Sequence, residues 1–138
     1  KRSFAGERTV DDALEAFKLV LLNHQIRGSK SSEIAKVCLR IAWLYRFKGD
    51  ERELDFLKFA EHHYEQTFMN EYFPVDKLDE FTCIYLIAEL NRRLDEYEEA
   101  LKWFSKLISS PEARKNAKLM NTAREQLQVL REQMGRHE

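Results

Sequence analysis

The chain has 138 residues, long enough to bury a core of its own, and its 23 Lys and Arg nearly balance 24 Asp and Glu. A net charge of −1 and a pI of about 6.5 give no global attraction to nucleic acid or anionic lipid, and the longest clearly apolar run, Leu19 to Leu22, cannot span a bilayer. Four glycines and two prolines are too few for a chain rich in β-turns, so an all-helical protein is expected.

Six helices are predicted in chain order. The first starts at Thr9, whose hydroxyl can cap the amides near Asp11 and Asp12, and runs to about Ile26; residues 1–8 read as an N-terminal extension. Gly28-Ser29-Lys30-Ser31-Ser32 breaks it, and a serine there caps a second helix over about Glu33 to Lys48, ended by Gly49. Asp50 with Glu53 forms a capping-box pattern for the third helix, which reaches about Glu71. Tyr72-Phe73-Pro74-Val75 cannot continue it, because proline disfavours helix at the residue before it.

The fourth helix is expected from near Asp76 or Lys77 to about Leu94. Asp95 with Glu98 repeats the capping box for the fifth, which ends around Ser109. Ser110-Pro111-Glu112 supplies a cap, a proline at the first helical position and an acid at the positive end of the dipole. The sixth helix then runs to about Met134, and residues 135–138 form a tail, which leaves 9–134 as one helical domain. The opening Lys1-Arg2-Ser3-Phe4 lacks a methionine and any signal-peptide pattern, so a piece of a longer protein is expected.

Two of these helices share a pattern. Val10, Ala13, Phe17 and Val20 align without a gap on Tyr97, Ala100, Phe104 and Leu107, a small residue between larger apolar ones at helical spacing. Such a stripe lets a neighbouring backbone approach at the alanine while the aromatic fills the groove beside it. The second and fourth helices match as well: Cys38, Ile41, Ala42 and Tyr45 correspond to Ile84, Ile87, Ala88 and Asn91. The order is that of a repeating hairpin, and stacked hairpins form solenoids that generally bind other proteins.

Ile87-Ala88, Asn91, Leu94-Asp95, Tyr97, Ala100, Phe104, Leu107 and Pro111 resemble a tetratricopeptide repeat, and Ile41-Ala42, Tyr45 and Gly49 resemble its first half. The departures are Asn91 in place of an aromatic, Asp95 in place of glycine, a period longer than about 34 residues, and a one-residue slip after Gly49 that puts Leu54, Leu57 and Ala60 on the buried stripe. The phrases Gly6-Glu7-Arg8-Thr9-Val10-Asp11-Asp12-Ala13, Leu39-Arg40-Ile41-Ala42-Trp43-Leu44-Tyr45-Arg46 and Tyr85-Leu86-Ile87-Ala88-Glu89-Leu90-Asn91-Arg92-Arg93-Leu94 resemble the C-terminal helical region of an uncharacterised bacterial family. That resemblance implies a bacterial cytoplasmic protein with a cysteine-rich, zinc-binding segment upstream, and it supplies no catalytic residue.

The expected architecture is therefore all-α, a solenoid of tetratricopeptide-like antiparallel hairpins. In such a stack the second and fourth helices line the concave face. A groove built from Lys36, Leu39, Arg40, Trp43, Arg46, Tyr85, Glu89, Arg92 and Arg93 would suit an acidic or carboxyl-terminated peptide. The competing expectation is that Trp43 packs inside the stack and the arginines pair with Glu89 and the acidic helices that alternate with the second and fourth.

No phosphate-cradling glycine loop, nucleophile elbow or i, i+4 histidine pair is present, and His62-His63 point about 100° apart on a helix. Cys38 and Cys83 lack metal or redox spacing and read as buried thiols. The function expected is a non-catalytic protein- or peptide-binding module without metal or cofactor, with membrane and nucleic-acid partners disfavoured. The alternative is a structural platform for the upstream zinc-binding domain, or a homodimer formed through the open end of the stack.

Overall fold

A computed structural model describes residues 2–136, with side chains from Arg8 to Arg136. The described chain is all-α. In order it comprises α1 (Arg2–Arg27), α2 (Ser31–Lys48), α3 (Glu53–Asn70), α4 (Glu80–Arg93), α5 (Tyr97–Ile108) and α6 (Ala117–Arg136), with a 3-10 turn over Ala113–Lys115. The helices belong to two compact units, one ending at Thr67 and the other beginning at Phe68, inside the last turn of α3.

The turns explain where these helices stop. Gly28 (φ 67°) and Gly49 (φ 70°) both adopt the left-handed conformation that closes a helix at little cost to glycine. Each is followed by an amide reaching back across the last turn, Ser29 N–H to the His24 carbonyl and Asp50 N–H to the Tyr45 carbonyl, both at 2.9 Å. Asp95 (φ 61°) repeats this geometry after α4, with Glu96 N–H donating to the Asn91 carbonyl at 2.9 Å. The aspartate thus adopts the left-handed conformation that glycine takes at the other two ends, and the Tyr97 hydroxyl donates to its carboxylate at 3.0 Å.

The helix starts differ from expectation in several places. α1 already runs through Thr9 from Arg2, so Thr9 is not its cap and the described part of the expected extension, from Arg2, is helical. Lys30, with no side-chain cap bond, precedes α2, and Ser31 and Ser32 fall inside the helix. Neither capping box forms. The Asp50 carboxylate turns onto its near neighbour Arg52, accepting the Arg52 amide at 2.9 Å and its guanidinium at 2.6 Å, and α5 follows Glu96 with no side-chain cap. A short local loop closed by an arginine fork outcompetes the longer reach to the third helical amide.

α4 begins later than expected. Val75 and Leu78 exchange backbone hydrogen bonds at 2.9 Å, and Asp79 then caps the helix by accepting Thr82 N–H at 2.9 Å. Ser110 caps only the 3-10 turn, its hydroxyl accepting Ala113 N–H at 3.3 Å. Asn116, whose side-chain oxygen accepts Leu119 N–H at 3.1 Å, starts α6 proper.

In the first unit α1 packs on α2. Val10 and Leu14 meet Val37, Ile41 and Tyr45, with Phe17, Leu21, Leu44 and Phe56 packed around them. The buried stripe of α1 is thus Val10, Leu14, Phe17 and Leu21, turned by one residue from the expected set: Ala13 is half-buried and Val20 is 40% exposed. On α3, Leu57 and Ala60 are buried as expected, but Leu54 is exposed.

In the second unit α5 lies between α4 and α6. Ala100, Phe104 and Leu107 are completely buried among Ile84, Ala88, Ala123 and Leu130. Phe68 joins this core with its ring edge-on to Trp103 at 5.2 Å.

Candidate functional site

The outward face of α2 is the most unusual surface of the first unit. Ile34, Ala35, Val37, Cys38, Ile41, Ala42 and Tyr45 point inward, and the helical period then forces Lys36, Arg40, Trp43 and Phe47 onto the opposite side. Trp43 is 63% and Phe47 67% exposed, their rings 6.3 Å apart and only 19° from parallel. Of the competing expectation, the packing of Trp43 inside the stack does not hold, whereas Arg92 and Arg93 do pair with Glu89.

Leu39 is half-buried beside this face and Arg46 is exposed at its edge. The Arg40 guanidinium rests 5.8 Å from the Phe17 ring centre. Among the described residues no carboxylate lies within ion-pair distance of Lys36, Arg40 or Arg46. Lys48 differs, because Asp11 on α1 holds it at 2.6 Å.

The α4 residues of the expected groove belong to the second unit and have internal partners. Arg92 donates to both oxygens of Glu89, at 2.6 and 2.9 Å, and to the Gln133 side chain of α6 at 2.9 Å. Arg93 reaches the same Glu89 carboxylate at 3.5 Å. This bidentate grip raises the Arg92 pKa, chiefly through the hydrogen bond to Glu89, and fixes its fork geometry. Tyr85 is half-buried, its ring 6.2 Å from Phe104, and burial with the nearby Glu89 raises its hydroxyl pKa.

The groove residues therefore form two groups. Lys36, Leu39, Arg40, Trp43 and Arg46 share one helix whose cations no described carboxylate pairs, whereas Glu89 gathers Arg92 and Arg93 beside Tyr85. Asn91 is buried and its amide donates to the Ile87 carbonyl at 2.9 Å. Gln133 escaped the sequence reading; its only signal is a polar residue one position before Met134 on the apolar side of α6. A second overlooked feature is the outward stripe Leu19, Leu22 and Ile26 on α1, legible as an i, i+3, i+7 spacing opposite Val10, Leu14 and Leu21. Val20, Asn23, Ile26 and Arg27 border an open recess of about 390 Å³ next to it.

The remaining polar groups have local explanations. His62 and His63 stand edge-on at 5.1 Å, and burial followed by the neighbouring ring lowers the His63 pKa. No group of three metal-ligating side chains occurs among the described residues. Burial pushes the Cys38 thiol up to about 11 and the Cys83 thiol to about 12, so neither supplies a thiolate near neutral pH. No helix among the described residues is long and apolar enough to cross a membrane.

No curated protein and no solved structure matches the chain. A family model described as "Uncharacterized protein conserved in bacteria (DUF2225)" does match, over residues 1–130. That is nearly the whole chain, and the protein belongs to this bacterial family.

Proposed function

We propose that the chain is a non-catalytic, tetratricopeptide-like module of the bacterial cytoplasm that binds a protein or peptide partner. One observation carries this reading: α2 leaves two large aromatic rings in water on a helix whose other face is fully packed. Tryptophan, tyrosine and arginine dominate interface hot spots, and large exposed apolar groups rimmed by charge commonly mark contact surfaces. The three left-handed helix ends and the small residues Ala42, Ala88 and Ala100 at buried positions support the resemblance to repeated hairpins.

A photo-crosslinking amino acid at Phe47, incorporated in the full-length protein in its host, tests the reading. It should yield a discrete conjugate with another protein, while the same group at exposed Asn121 on α6 should not. Equal, diffuse labelling from both positions would refute it.

A second reading is favoured by the outward Leu19, Leu22 and Ile26 stripe: α1 is a platform that seats an upstream zinc-binding segment or a second copy. Light scattering on the Leu19→Glu, Ile26→Glu variant separates the two. A dimer that becomes monomeric would favour the platform, whereas an unchanged monomer would leave the α2 surface as the working face.

A further inference from the structure

We infer that the partner of α2 is an acidic peptide segment, with two or more carboxylates flanking an aromatic or large aliphatic anchor, and that α2 alone reads its charge. This inference rests on the protein-binding reading above and specifies its ligand. Lys36 and Arg40 lie on the same helical stripe as the Trp43–Phe47 pair, Arg46 lies at its edge, and none has a carboxylate partner among the described residues. Arg92 and Arg93, the other cations of the expected groove, are already engaged by Glu89. An anionic ligand at Arg92 would have to displace a bidentate carboxylate, whereas at α2 it meets unpaired cations beside uncovered rings.

The size of the patch fits a short peptide. From Lys36 to Phe47 the helix rises roughly 16 Å, about three turns, room for five or six extended residues or a three-turn helix. The aromatic pair offers apolar area to a side-chain anchor, and the cations around it favour carboxylates while disfavouring basic segments. A nucleic acid fits less well. Its phosphates need a longer cationic track, while the whole chain carries a net charge of −1.

Panning the full chain against a displayed random library of 12-residue peptides tests the inference. Representative binders are then synthesised with a fluorescent label and titrated by polarisation. Enriched peptides should carry acids next to a Trp, Phe, Leu or Ile. Their affinity should fall about tenfold or more in a Lys36→Glu, Arg46→Glu variant and weaken with added salt. In Arg93→Ala it should be unchanged.

Circular dichroism of each variant controls for folding, since all these side chains are exposed. Enriched peptides that are neutral or basic, or that bind the charge-reversed variant equally well, would overturn the acidic ligand while leaving a peptide-binding module standing. Failure to enrich any peptide, or retention of a labelled oligouridylate instead, would overturn both readings.

Discussion

α1 and α5 carry the same run of apolar, small and aromatic residues, yet they bury it differently. In α5 the pattern is realised as written: Ala100, Phe104 and Leu107 are inaccessible between α4 and α6. In α1 the aligned Ala13 is half-buried and Val20 exposed, while Leu14 and Leu21 point into the contact with α2. A helix flanked on two sides uses a broad apolar arc that must include the small residue. A helix packed on one neighbour can rotate until its larger side chains face that neighbour, because area removed from water sets the gain. A shared pattern thus identifies a helix of a given kind without identifying its orientation.

The sharpest test of this contrast is truncation of the matched aromatics. Phe104→Ala should cost about 3–5 kcal/mol in urea unfolding, since it opens a fully enclosed cavity, while Phe17→Ala at its half-buried site should cost roughly half as much. Equal losses would break the comparison. The alanines sharpen it: Ala100→Leu should cost about 1–3 kcal/mol through overpacking, whereas Ala13→Leu should change stability by less than about 0.5 kcal/mol.

The helix ends extend the comparison to the backbone. Gly49→Ala should destabilise by about 1 kcal/mol from the left-handed φ alone, because no atom stands within 4 Å of where its Cβ would be built. Asp95→Gly should stabilise by about 0.5 kcal/mol, the relief of φ 61° being partly offset by loss of the Tyr97 hydrogen bond. Thermal melts of the two variants should therefore shift in opposite directions.

The smallest effect is electrostatic. Arg52 holds the Asp50 carboxyl down to about 2 through side-chain and backbone hydrogen bonds. A depressed folded-state value means that the pair stabilises fully above the ordinary carboxylate range and loses its contribution as pH falls from there toward about 2. An NMR titration of Arg52→Ala should show Asp50 returning toward 3.8, the unperturbed value. An unmoved inflection would show that the local loop, and not the arginine, sets it.

Much of the fold was legible because helix propensity and period are local. The number of helices, the breaks at Gly28 and Gly49, the burial of Ala42, Ala88, Tyr45 and Asn91, and the inert cysteines all follow from side chains within a few turns of one another. The starts were misread where two local partners compete for one side chain. Asp50 could bond a helix amide or the Arg52 fork, and both choices look alike in one dimension. On the candidate surface, the outward position of Lys36 and Arg40 came from counting residues around the helix. The exposure of Trp43, by contrast, depended on whether another element covers that side.

By itself, then, the sequence determined which segments become helices and which residue in each turn can bend left-handed, because both depend on backbone sterics and neighbouring side chains. Only the tertiary structure decided that Arg92 closes on Glu89 and Gln133 while no described carboxylate pairs with Arg46, and that α1 buries Leu14 in place of Ala13. Those choices balance apolar burial against charge pairing over whole packed helices, and no local window contains the partners that settle them.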